Sequence, residues 1–193
     1  MTDSTHADPA TPPVKWSSII VSAYLPTLMS SLGYGAVIPL IPLTAVHIGA
    51  SAALAAAIAA LVGIGQIIGD VPAGWLVTKI GEKWSLVIAM LIDAVALVSM
   101  GLVHHLGLLA VAVFVNGMAG AVYGIARQNY LTVAIPYRYR ARALSTLGGV
   151  FRVGWFVGPM AGSWILREAS MSWAYGFASV ARIVAADVTS VLP

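Results

Sequence analysis

Apolar residues run through this chain in long blocks, broken only by short polar punctuation. A helix needs roughly 20 apolar residues to cross a bilayer, and six blocks meet that length, at about 17–43, 52–77, 84–103, 106–135, 144–166 and 172–192. The pattern predicts an all-α membrane protein, a polytopic bundle of six transmembrane helices, with short connections that make neighbours antiparallel. Residues 1–16 differ: they are polar and hold Asp3, Asp8, Pro9, Pro12 and Pro13. They lack the basic start and small-residue cleavage site of a secretory signal. The expectation is a disordered cytoplasmic tail over 1–16 and one transmembrane domain over 17–193.

Composition supports this reading. The chain is 60% hydrophobic and 9% charged, with a mean hydropathy of +0.91. Soluble domains carry about a quarter charged residues, so the expected partner of this surface is the lipid bilayer. The pI near 9.4 accompanies a net charge of only +3, and the basic residues sit between apolar blocks. They read as topology signals, not as a nucleic-acid face. Counted from the tail, one side collects Lys15, Lys79, Lys83, Arg138, Arg140 and Arg142, and the other only Arg167. The N-terminus is therefore expected in the cytoplasm, in a multi-pass protein of the cell (plasma) membrane.

Proline and glycine mark where the helices bend or meet. Pro26, Gly33, Gly35, Pro39 and Pro42 interrupt the first span. Gly65 and Gly69, and Gly120 and Gly124, have the spacing that lets helix backbones approach closely. Between Val77 and Trp84 the pattern predicts a tight turn of about six residues, with Lys79 and Lys83 on its water-facing side. Residues 31–35 resemble an ion-filter loop, but they lie inside a long apolar run with no pore helix before them. His104 and His105 are adjacent and point apart, so no metal site is expected. No Cys is present and no nucleophile sits beside a base, so no enzyme, catalytic residue or cofactor is expected.

Six charges fall inside the predicted spans: Asp70, Asp93, Arg127, Arg152, Arg182 and Asp187. Each costs at least about 2.5–3.5 kcal/mol at the bilayer centre unless it faces protein or water. Counting residues from the span ends puts Asp70, Arg127 and Arg152 at one depth, and Asp93 and Arg182 slightly deeper. The expected pairs are Asp70 with Arg152 or Arg127, as candidates for proton coupling, and Asp93 with Arg182, as a structural pair.

The turn after span two carries Gly74, Thr78, Lys79, Gly81, Glu82 and Lys83. This spacing resembles the loop motif of the major facilitator superfamily. Thr78 stands where that family has Asp, and Glu82 where it has a basic residue. Span five, with Gly154, Gly158, Pro159 and Gly162, resembles the Gly-Pro motif of the drug/proton antiporter branch. Asn116 to Gly120 fits the small-residue part of a third motif, with Val113 at its Arg position.

The resemblance implies the N-terminal half of such a transporter, built from two inverted three-helix repeats. Its function would be alternating-access transport of a small molecule, as efflux driven by a proton gradient. The loop motif would act as a conformational gate, and the Gly face of span five would slide against the other domain. Tyr34, Asn116 and Tyr123 are the substrate-pathway candidates. The C-terminal half or a second copy would be needed for a full transporter. The alternatives are an uptake symporter and a truncated, non-transporting membrane scaffold.

Overall fold

The computed structural model describes residues 23–168 and 170–191. The tail expected over 1–16 lies outside them. Among the described residues there are seven α-helices and no strand: α1 Leu25–Val37, α2 Leu40–His47, α3 Ala52–Ile80, α4 Glu82–Leu102, α5 Leu106–Ala134, α6 Tyr137–Glu168 and α7 Met171–Val191. α1 and α2 together form the first span. Pro39 and Pro42 lack the N–H groups that would bond the carbonyls of Gly35 and Ile38, so the helix breaks at residues 38 and 39 and re-forms. It then runs to His47, past the expected end at Leu43.

Local chemistry sets the other boundaries. Ser51 caps α3, its hydroxyl accepting the Leu54 N–H at 3.3 Å. The expected six-residue turn after span two is a single residue, Gly81, at φ 82° and ψ 165°. Its N–H donates to the Val77 carbonyl at 3.0 Å, and its own carbonyl accepts from the N–H and hydroxyl of Ser85. A side chain disfavours that backbone conformation, so the glycine allows α4 to begin at once. The stretch 137–143, expected as a loop, is instead the opening of α6. The Tyr139 N–H bonds the Pro136 carbonyl at 2.9 Å, and Arg138, Arg140 and Arg142 project from helical turns.

The first span, α3, α4 and α5 are long and apolar enough to cross a membrane. α6 and α7 match them in length but carry more polar groups, including Arg152 in α6 and Arg182 in α7. Their place in the bundle is fixed by packing. The heaviest helix pairings are α3 with α5, α1 with α6, α4 with α7, α4 with α5 and α1 with α7. Exchanging spans one, two and three for four, five and six leaves this set unchanged, which is the pattern of two three-helix repeats.

The repeats match at the level of single atoms. A Cβ placed on Gly65 would collide with Phe114 O, three residues before Gly117, and press on Met118 N, one residue after it. On Gly158 it would meet Leu32 O and Ala36 N, which bear the same relation to Gly35. In return, a Cβ on Gly117 would hit Val62 O and one on Gly35 would lie 2.6 Å from Trp155 O, each three residues before the partner glycine. Gly69 and Gly162 extend the two crossings by one turn. Both crossings are parallel, since contacts advance along both helices together. α4 and α7 run antiparallel: Ser172 Oγ donates to Gly101 O at 2.7 Å, and Ser179 Oγ to Ala94 O at 3.2 Å. The glycines in use at the α3–α5 crossing are Gly65 and Gly69 of the first expected pair and Gly117, which belongs to neither pair. Gly124 of the expected second GxxxG pair has open space beside it.

Candidate functional site

The buried faces of α4, α5 and α7 bring a polar chain into the bundle. Asp93 on α4 and Arg182 on α7 form the expected ion pair, Nε to Oδ2 at 2.6 Å, with both side chains about 95% or more buried. Asn116 on α5 donates from Nδ2 to the other Asp93 oxygen. The Arg182 guanidinium lies 5.2 Å from the centre of the Tyr123 ring, and Arg127 stacks over that same ring at 5.3 Å. Arg127 also faces the Phe151 ring of α6 at 4.9 Å. Arg127 Nε and Nη1 are buried with no hydrogen-bond partner, so the two rings are what hold its charge. A chain of contacts thus runs from Asn116 through Asp93, Arg182, Tyr123 and Arg127 to Phe151. Phe151 was not among the sequence candidates; its neighbour Arg152 drew attention because it is charged.

The expected pairing of Asp70 is not formed. Asp70 and Arg152 are both exposed, and Asp70 has no ion pair among the described residues. Helical phase explains this. The stripe of α3 facing α5 passes through Val62, Gly65, Gly69 and Ala73, which puts Asp70 about a quarter turn off it at 100° per residue. Asp70 follows Gln66 by four residues on one flank. Gln66 Nε2 donates to the Tyr34 hydroxyl at 3.2 Å across the gap between α3 and α1. Arg152 lies beside Phe151 on the face of α6 turned away from α1.

The repeat correspondence sorts these groups. Tyr34 and Asn116 each immediately precede the central glycine of a crossing, so they are equivalent positions. One bonds Gln66 and the other Asp93. Asp70 corresponds to Ser163 and Arg152 to Ala59, so the two exposed charges have no charged counterpart. They break the symmetry on the open flanks of α3 and α6.

At the gate-like turn, Gly74 has nothing within 4 Å of an added Cβ. Thr78 Oγ1 donates to the Trp75 carbonyl of its own helix at 2.8 Å. Lys79 Nζ stands 5.0 Å over the Trp75 ring, and Gly81 closes the link. In α6, Gly154, Gly158 and Gly162 are buried against Ser31, Leu32, Gly35 and Ala36 of the first span. The Gly face is therefore occupied within this bundle and is not free to slide on another domain. Pro159, exposed, deprives the Trp155 carbonyl of its regular helical donor. Gly35 packs against that same carbonyl.

The profile described as Major Facilitator Superfamily matches residues 23–191. Among curated proteins, an uncharacterized MFS-type transporter of Mycobacterium tuberculosis (strain ATCC 25618 / H37Rv) is 25% identical over 167 residues, which cover 86% of this chain and 24% of that protein. Tetracycline resistance protein, class H, of Pasteurella multocida is 27% identical over 175 residues, 86% of this chain and 42% of that protein. Multidrug resistance protein 2 of Bacillus subtilis (strain 168) is 26% identical over 160 residues, 83% and 40% of the two chains. The chain spans less than half the length of each of these relatives.

Proposed function

The chain belongs to the major facilitator superfamily, and we propose that it is the N-terminal half of a plasma-membrane transporter that expels a small molecule by alternating access, driven by a proton gradient. The observation that carries this reading is a pair of exposed charges, one on α3 and one on α6. Asp70 and Arg152, on helices within the bundle, are exposed, and neither has a charged counterpart in the other repeat. An intramembrane charge without a partner is costly, and a pathway or a facing domain offsets that cost. Tyr34 and Asn116, at equivalent positions of the two repeats, each hydrogen-bond a polar residue of a neighbouring span, Gln66 and Asp93.

In this mechanism a second half, from further chain or a second copy, rocks against the α3 and α6 flanks. Asp70 and Arg152 change their surroundings as the halves rock, which couples charge to conformation. Of the candidates Tyr34, Asn116 and Tyr123, the half-buried Tyr34 lines the pathway, and Asn116 and Tyr123 lie buried behind it. The turn at Gly81, with Lys79 and Lys83 beside it, closes the cytoplasmic side. The names of the tetracycline and multidrug resistance relatives support outward drug transport.

The test reconstitutes the protein, expressed from its complete coding sequence, in proteoliposomes with an imposed pH gradient. Flux of tetracycline and of ethidium is followed with and without an uncoupler. Gradient-dependent movement of either probe, lowered by Asp70→Asn, is the expected result. Flux no greater than in empty liposomes for both probes would remove efflux of these compounds.

A further inference from the structure

Two apolar cavities open along α4, one beside α5 and the other between α3, α4 and α5. One, of about 690 Å³, runs between α4 and α5 past Leu91, Val95, Leu102, Leu108 and Val111. The other, of about 330 Å³, lies against α3 beside Pro72, Trp75, Leu76, Ile88 and Met118. Ile92 and Val115 line both, so the two form one groove. Along α4 it extends from Ile88 to Leu102, roughly 21 Å at 1.5 Å per residue. That exceeds the depth of one leaflet, about half of a 30 Å core. Ser99 is the hydroxyl-bearing residue in the wall, and its Oγ is already donating to the Val95 carbonyl at 2.8 Å. Apart from the Ser99 hydroxyl and the Trp75 indole, the side chains lining the groove are apolar.

Its end at the Gly81 turn has a different chemistry. Trp75 lines the groove there and is 60% exposed, with Lys79 Nζ standing over its ring. Lys79 makes no ion pair among the described residues. Trp84, also exposed, sits one turn before Ile88. Aromatic rings at this level are interfacial anchors, and a lysine beside them attracts a negative headgroup.

We propose that this groove is a binding site for an anionic phospholipid of the leaflet on the Gly81 side, with an acyl chain in the groove and the phosphate against Lys79. Charge complementarity at one end and the absence of polar demand along the rest select that occupant over a soluble ligand. The site rests on the chain spanning a membrane and is independent of the direction or substrate of transport.

Native mass spectrometry of the purified chain in detergent, titrated with phosphatidylglycerol or with phosphatidylcholine of the same acyl chains, tests this. Phosphatidylglycerol is expected to bind in preference, and Lys79→Gln to weaken it about fivefold, the factor one lysine at an anionic surface supplies. Ile92→Trp, an exposed position at the waist of the groove, is expected to reduce binding of both lipids. Circular dichroism confirms that each variant keeps its helix content. Equal binding of the two lipids, with Lys79→Gln unchanged, overturns the proposal. So does a protein dimer that Ile92→Trp dissociates, since a second copy would then fill the groove.

Discussion

Asp93 shows most clearly what one residue does in this bundle. It accepts from Asn116 and faces Arg182, so α4, α5 and α7 are tied at a single carboxylate. Removing one partner leaves the other charge buried, at a cost of about 3–5 kcal/mol. Asp93→Asn is therefore expected to lower the melting temperature in detergent sharply, followed by circular dichroism. The double variant Asp93→Asn with Arg182→Gln is expected to recover part of that loss; an additive loss in the cycle would argue against a coupled pair. Gly81 is the other decisive position. Gly81→Ala forces a side chain into a backbone region reserved for glycine, at about 1–3 kcal/mol, and the same melting measurement reads it.

The parallel glycine crossings dominate at the level of helices. The α3–α5 and α1–α6 pairs meet backbone to backbone, so any Cβ at Gly65, Gly117, Gly35 or Gly158 must push the helices apart. Gly117→Val and Gly158→Val are each expected to destabilise by at least about 1–3 kcal/mol, the range for an overpacked core. Gly148, in α6 with open space around it, supplies the contrast. Gly148→Ala is expected to stabilise by about 1 kcal/mol through helix propensity. Both are read as shifts in melting temperature. The regular spacing of Gly154, Gly158 and Gly162 was plain in the sequence, as was a close approach. The partner was not, because spacing along one helix fixes a face and says nothing of which helix covers it. The apolar blocks likewise marked the helices but misplaced their ends at residues 78–83 and 137–143. In these places the capping bonds of Gly81 and Pro136 decide the boundary, and apolarity does not.

At the scale of the molecule, the bundle separates a buried polar chain from an exposed charged face. Asp70→Asn and Arg152→Gln touch exposed side chains, so each is expected to leave stability within about 0.5 kcal/mol. Under the proposed function they alter gradient-driven flux in proteoliposomes. A large drop in melting temperature for either would instead assign it a packing role inside this bundle.

The sequence by itself determined the membrane class, the helical content and the superfamily. Apolar length and scarce charge leave no other way to satisfy the backbone in lipid. It also pointed to the Asp93–Arg182 pair, because both charges lie at one depth in the middle of a span, although the same count of depth failed for Asp70. Only the tertiary structure decided that Asp70 stands apart from Arg127 and Arg152, that aromatic rings hold Arg127, and that the glycine ladder of α6 is spent on the first span. Depth can be counted along a chain, but the direction of a side chain around its helix has meaning only once the neighbouring helices are in place.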